Sequence, residues 1–328
     1  MTGQRLPTPE ELLEHAVVLS LPMRTRFRGI TTREVMIVEG PAGWGEFGPF
    51  VEYDDEESAA WLAAGIEAAY LGAPPTRRDR VPINATVPAV PASEVAGMLA
   101  RFPGARTAKV KVAEPGQTLD DDVARVAATR ELIGRVRVDA NGKWDVAQAI
   151  TALRAIGDLE YAEQPCATVE ELAAVRRAVD VPIAADESIR KATDPMRVVA
   201  AEAADIAVLK VAPLGGMRAV LTLAEEIGLP VVISSALDSA VGIAAGVAAA
   251  AALPELPFAC GLGTGSLFTG DVADGGTPDD GHLRPRWFGP GDLEVPSTLC
   301  AAEDRRRWWH ERLRRAHAVL TACGHRLG

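Results

Sequence analysis

From Thr107 to Val211 the chain carries the segments TAKVKV (107–112), VRVDAN (136–141), LEYAEQP (159–165), IAADES (183–188) and AVLKV (207–211). Each is a short apolar run with a charged residue at or near its end: Lys111, Asp139, Glu163, Asp186 and Lys210. The steps between them are 28, 24, 23 and 24 residues, and another 24 reaches Ser234 in VVISSA (231–236). A period near 24 is what one strand, one crossover helix and two short loops require. The five side chains are therefore expected at one level on successive parallel strands. Charged groups on strands that otherwise read as apolar are costly to bury unless paired, so their convergence marks a site.

Outward from this stretch the rhythm continues. Strands are expected at 81–87, 107–112, 135–140, 159–164, 182–187, 206–211, 230–235 and 258–262. Helices are expected at 119–133, 146–156, 169–179 and 217–227, with glycine or Val-Pro near their ends as stop signals. Eight buried-type strands alternating with helices predict an α/β fold, a (β/α)7β TIM-like barrel. An open doubly wound sheet is the alternative. The barrel is favoured because a closed ring brings every strand end to one mouth. Residues 1–80 lack the period. They read as an α+β capping domain: strands at 15–21, 33–40 and 44–46, then a helix at 54–70 with an acidic start. The barrel spans 81–283, and 284–328 form a tail whose helix (301–323) folds back on the barrel or cap. Its arginine run, RRRWWHERLRR (305–315), is expected to be a solvated face.

Composition limits the function classes. A formal net charge of -11 over 328 residues opposes general binding to nucleic acid or membranes, both polyanionic. No apolar run approaches the roughly 20 residues of a membrane span; the richest, 240–253, is too short. The N-terminus has no basic region followed by an apolar core, and the four cysteines are scattered without a CxxC pair. A cytoplasmic protein with free thiols is expected.

Asp139, Glu163 and Asp186 at the ends of three consecutive strands offer hard oxygen ligands. They suit Mg²⁺, with Mn²⁺ equally compatible. None of the five histidines lies between residues 16 and 281, which removes histidine ligands and bases from most of the barrel. Lys109 shares a strand face with Lys111. A second ammonium there makes Lys111 easier to deprotonate, so Lys111 can act as a general base. In a closed ring Lys111 and Lys210 approach from opposite sides. A small-molecule carboxylate held between them could lose its α-proton, with the cation stabilising the developing charge.

K-V-K (109–111), D-A-N (139–141), E-Q-P (163–165), D-E-S (186–188) and L-K-V (209–211) together resemble the enolase superfamily, and within it the muconate-lactonizing subgroup. The resemblance covers nearly the whole chain. E-Q-P-C (163–166), L-K-V-A-P-L-G-G (209–216), S-S-A-L-D-S-A-V-G (234–242), R-F-R-G-I-T-T-R (26–33) and G-W-G-E-F-G-P-F (43–50) are closest to the subgroup's dehydratases of menaquinone biosynthesis.

The resemblance implies that Asp139, Glu163 and Asp186 bind Mg²⁺. Lys111 would take the α-proton of 2-succinyl-6-hydroxy-2,4-cyclohexadiene-1-carboxylate and return it to the departing hydroxyl, a syn elimination. Lys210 would stabilise the intermediate from the other face, and Lys109 would support Lys111. Asn141, Glu187 and Arg137 would stand behind these groups, Arg137 equally as an ion pair inside the barrel. Ser234, Ser235, Leu237, Gly261, Gly263 and Thr264 would meet the succinyl chain. Phe47, Phe50 and Val51 could close over the ring. N-acylamino acid racemase and muconate cycloisomerase remain alternatives in the same subgroup. Dipeptide epimerase is disfavoured, because G-L-G-T-G-S-L-F (261–268) lacks an acidic D-x-D. A non-catalytic ligand-binding barrel is the remote alternative.

Overall fold

The computed structural model describes residues 5–191 and 194–327. The chain starts with a short helix, α1 (Pro9–Glu14), closed by a reciprocal capping box between Thr8 and Glu11. A three-stranded antiparallel sheet follows: β1 (Ala16–Phe27), β2 (Ile30–Gly40) and β3 (Gly43–Phe47). β1 runs past the expected residue 21 because the β1–β2 turn lies at Arg28-Gly29. Both turn residues have positive φ (54° and 79°), the two-residue geometry that matches strand twist. Helix α2 (Asp55–Leu71) covers the sheet, with Asp54 accepting from the Glu57 amide at its N-cap.

The expected first barrel strand is split. β4 (Val81–Pro82) pairs antiparallel with residues 282–283, and only β5 (Ala85–Val87) joins the parallel sheet. Between them the Ile83 amide bonds Gly281 and the Asn84 amide bonds Cys260, so the chain changes partners there. A short helix, α3 (Val95–Leu99), crosses to β6 (Thr107–Lys111). The units that follow are α4 (Leu119–Leu132), β7 (Arg135–Asp139), α5 (Val146–Ile156), β8 (Tyr161–Glu163), α6 (Val169–Arg176) and β9 (Ile183–Ala185). Capping boxes begin α4, α5 and α6, and Gly157 ends α5 at φ 80°. α6 ends three residues before the expected 179, where a tighter turn at Arg177 and Ala178 redirects the chain toward β9.

Two single-turn helices after β9 were not expected: α7 (Glu187–Arg190) and α8 (Arg197–Ala200). β10 (Ile206–Leu209), α9 (Met217–Ile227), β11 (Val231–Ile233) and α10 (Ala240–Ala252) complete the repeats. The parallel sheet runs β11-β10-β9-β8-β7-β6-β5. The eighth expected strand, 258–262, is not a regular strand. It closes the ring through single bridges, Ser234 to Gly261 on one side and Ile83 to Cys260 on the other. Backbone bonds from Gly261 to Ile233 and from Cys260 to Pro82 complete the seam. The fold is thus a curled parallel sheet with an N-terminal capping domain, as expected in outline.

β12 (His282–Leu283) returns to β4, and the final helix is α11 (Glu303–Ala322). One apolar core lies between the barrel strands and their helices, including Val110, Val138, Leu153 and Leu209. A second joins the cap to α11 through Phe47, Trp61, Trp309 and Leu313. The α11 arginines are not simply a solvated face. Arg312 is buried and donates to the carbonyls of Phe50 and Tyr53, both at 2.7 Å. Arg305 forks onto Glu34, and Arg315 pairs with Asp55. Helical spacing puts Arg305, Trp309 and Arg312 on one side of α11.

Candidate active site

Parallel pairing sets equivalent residues side by side. Lys111 is in register with Asp139, and Asp139 with Glu163. Asp186 and Lys210 each stand one residue beyond β9 and β10. All five ends therefore lie at one mouth. β6 and β10 are four places apart in the sheet order, so in the closed ring Lys111 and Lys210 face each other across it.

The side chains interlock. Lys109 Nζ donates to Glu163 Oε1 at 2.6 Å and lies 3.3 Å from Asp139 Oδ2. Lys111 Nζ donates to the same Asp139 oxygen at 2.6 Å and to Asn141 Oδ1 at 2.7 Å. Lys210 Nζ donates to Asp186 Oδ2 at 2.5 Å. The three carboxylates are buried. Burial alone would raise them, yet Lys111 and Lys109 hold Asp139 below the carboxylate range, as Lys210 and Arg190 do Asp186. Glu163 goes the other way, to about 7, because burial and repulsion from Asp139 and Asp186 outweigh Lys109 and Lys210. Lys109 is raised: burial opposes its charge, but Glu163 and Asp139 more than offset it.

Three carboxylates are the donor set of a hard divalent cation. Glu163 Oε2 is buried without a hydrogen-bond partner, a lone pair free inside the cluster. The residues thus fit such an ion chemically. Among the described residues, however, no three His, Cys, Asp or Glu side chains group closely enough to hold an ion as they stand. The lysine ammoniums lie against the carboxylates.

Above the cluster is a cleft between barrel and cap. Ser234, Ser235, Leu237, Gly261 and Thr264 line it with Lys109, Lys111, Lys210, Asn141 and Glu187. Ser235 Oγ bonds the Gly261 carbonyl at 2.9 Å and Thr264 Oγ1 at 2.7 Å, tying the β11 loop to the closing segment. Gly263 does not line the cleft. It packs in a 3-10 turn where a Cβ would lie 2.9 Å from Phe102 and 3.0 Å from Ile83. Arg137 does not reach the mouth either. It is fully buried inside the barrel, paired with Glu160, bonded to the Ala259 carbonyl at 2.7 Å and stacked over Tyr161. Of the three capping-loop residues only Phe50 reaches the cleft; Phe47 is in the cap core and Val51 points to solvent.

Sequence reading missed several neighbours. Arg190 donates to Asp186 Oδ1 at 3.0 Å, to Glu187 Oε1 at 2.7 Å and to the Tyr53 hydroxyl of the cap at 3.2 Å. Its signal was the i, i+4 spacing from Asp186 in D-E-S-I-R. Gln164 accepts from the Asp186 and Ser188 amides with Oε1, bracing β8 against β9. Phe27 and Arg28, at the β1–β2 turn, form the cap side of the cleft. Asn141, expected to orient ligands, bonds Lys111 directly and reaches Glu187 at 3.3 Å.

A barrel with two facing lysines, three buried acids and an antiparallel cap defines a class. The "Enolase N-terminal domain-like" family model matches residues 18–69, and "Enolase C-terminal domain-like" matches residues 92–291. The chain belongs to the enolase superfamily, and within it to the o-succinylbenzoate synthase family. It is 64% identical over 318 residues to o-succinylbenzoate synthase of Mycobacterium tuberculosis, covering 96% of this chain and 97% of that one. The Mycobacterium ulcerans relative of that name is 63% identical over 316 residues, covering 95% and 96%. Among solved structures, muconate cycloisomerase from Pseudomonas fluorescens superposes with a TM-score of 0.70 at 23% identity, covering 85% of this chain and 94% of that one. N-succinyl Arg/Lys racemase from Bacillus cereus gives 0.71 at 22% identity, covering 88% and 97%. These two show the fold alone. Enolase superfamily members generally use a divalent metal, and no described helix is long and apolar enough to cross a membrane.

Proposed function

We propose that the chain is an o-succinylbenzoate synthase: it dehydrates 2-succinyl-6-hydroxy-2,4-cyclohexadiene-1-carboxylate to 2-succinylbenzoate and water. The observation that carries this is the pair of facing lysines over three buried carboxylates, taken with 64% identity along almost the entire chain to relatives of that name.

Asp139, Glu163 and Asp186 would hold Mg²⁺. Bound there, the cation stabilises negative charge on the substrate carboxylate. The chain's own residues do the rest. Lys111 Nζ, held by Asn141 and Asp139, faces the cleft and takes the α-proton. The electron pair left on carbon expels the hydroxyl, and Lys111 returns its proton to that oxygen. Water leaves and the ring becomes aromatic. One amine on one face can serve both steps, which gives syn stereochemistry. Lys210, on the opposite face, is a fixed positive charge beside the ring. Ser234, Ser235, Leu237, Gly261 and Thr264 receive the succinyl arm, while Phe27 and Phe50 cover the ring and exclude water. We assign the reaction to the cytoplasm; the four free cysteines agree with that.

The test is loss of diene absorbance with purified protein and Mg²⁺, with product identification and parallel trials of N-succinyl amino acids. Turnover of the diene supports the dehydratase. Racemisation without dehydration would reassign Lys210 as a second acid–base group.

A further inference from the structure

Behind the cleft wall, cap and barrel meet through a buried charged cluster that the reaction above does not use. Glu46 on β3 reaches across to the start of α10. Its Oε2 accepts from the Ser239 amide at 2.9 Å and from the Ser239 hydroxyl. Arg33 on β2 is 2% exposed and donates through Nε to the Leu237 carbonyl at 3.1 Å. Its other nitrogens bond the carbonyls of Gly48 and Glu34, and its guanidinium stacks over Phe50 at 4.3 Å. Asp238 accepts from the Ala236 amide at 3.1 Å. A Cβ on Gly242 would lie 2.6 Å from Asp238 Cβ and 3.0 Å from Glu46 Oε2, so the two acids close on one point.

The residue enclosed by these contacts is Leu237. It is buried, lines the cleft and has φ 64°. A branched side chain in the left-handed region is strained and persists only when its surroundings enforce it. Here the enforcing groups come from the cap.

We propose that Arg33, Glu46 and Asp238 form a clasp between cap and barrel that positions the β11–α10 loop, and so sets Leu237 against the succinyl end of the substrate. The inference rests on the dehydratase reading of the cleft. The three are positioning residues; none touches the reacting atoms.

The clasp buries two carboxyls and one guanidinium in a single cluster, with Arg33 bonded to backbone carbonyls. Glu46 Oε1 and Asp238 Oδ1 are both buried without a partner, so a single proton retained by the pair relieves the repulsion. Burial, then Asp238, raises Glu46 to about 8, against the pull of Ser239 and Arg33. The other charged groups around the clasp include Arg28 and Glu52 from the cap loops, Arg312 on α11, Lys210 beyond β10, and Asp271, which accepts from the Ala240 amide at the same helix end. Asp271 is raised, chiefly by burial, only to about 6.

The experiment follows KM for the diene and the calorimetric Kd for 2-succinylbenzoate, using metal-loaded protein from about pH 7 to about pH 9. In wild type both should weaken severalfold as the proton is lost, and in Glu46→Gln, which cannot ionise, both should stay level. Glu46→Ala strands the Ser239 donors and should raise KM about tenfold with kcat within about threefold, and glutamine should restore it. Level wild-type values across the range overturn the clasp. So does a Glu46→Ala protein that melts earlier with unchanged KM. If that variant does not fold, the comparison of wild type with Glu46→Gln decides alone. Wild type that binds 2-succinylbenzoate without turning over the diene contradicts the dehydratase reading and leaves the Kd arm to judge the clasp. Absence of binding contradicts both.

Discussion

Lys109 and Lys111, two residues apart on β6, meet at one oxygen of Asp139, at 3.3 and 2.6 Å. Their second contacts separate their tasks. Lys109 turns down to the fully buried Glu163, while Lys111 turns to Asn141 at the cleft and is 17% exposed. Lys109 thus sits as an internal counter-ion, and Lys111 is the amine more exposed at the cleft.

This division predicts unequal costs. Lys109→Met leaves Glu163 and Asp139 buried with a partner missing and should destabilise the metal-free protein by about 3–5 kcal/mol. Lys111→Met leaves Lys109 on the same acids and should cost less than about half of that. Urea unfolding in EDTA compares them; equal losses would remove the distinction.

Arg312 joins α11 to the loop that carries Phe50. Arg312→Ala strands the carbonyls of Phe50 and Tyr53 and should lower stability by about 2–3 kcal/mol. The exposed Arg306 is the control, and Arg306→Ala should stay within about 0.5 kcal/mol. Denaturant midpoints measure both.

Glu46 gives stability a pH slope of defined sign. Burial, then Asp238, pushes its folded carboxyl up to about 8, against roughly 4.3 in an unfolded chain. Between those values the folded state holds the extra proton. The contribution is complete below the unfolded value and is lost as pH rises through the folded one. The stability of wild type minus that of Glu46→Gln should therefore fall steadily over that window. A rising or flat difference in chemical denaturation would contradict the assignment.

Arg190 holds Asp186 from the side away from Lys210. Chelation by EDTA should stop turnover, and Mg²⁺ should restore it. Arg190→Met should raise the half-saturating Mg²⁺ concentration by about tenfold or more, as is usual when the partner of a metal-binding group is lost. Metal titration followed by calorimetry reads this independently of rate.

The barrel was legible because its repeat is periodic and its helices begin and end on strong local signals, such as the Thr118–Asp121 box and Gly157. The charged strand ends were legible because they interrupt apolar runs. The rest depended on contacts far apart in sequence. The eighth segment satisfies its backbone through bridges to Ile83 and Ser234, which no local propensity encodes. Gly263 reads like a loop glycine, but its place is decided by packing on Phe102 and Ile83. Arg137 shares the strand face of Asp139, yet its length carries it down to Glu160 in the barrel. Arg312 looked solvated because the carbonyls it satisfies lie in the cap, some 260 positions earlier.

The most direct test of the central claim is turnover of the cyclohexadiene carboxylate by Lys111→Ala beside wild type, both with Mg²⁺. Wild type should consume the diene and form 2-succinylbenzoate. The variant should keep its fold by circular dichroism and lose at least about 10³-fold in kcat, the scale expected for loss of a general base. A folded variant within tenfold of wild type, or wild type that leaves the diene untouched, would contradict the account.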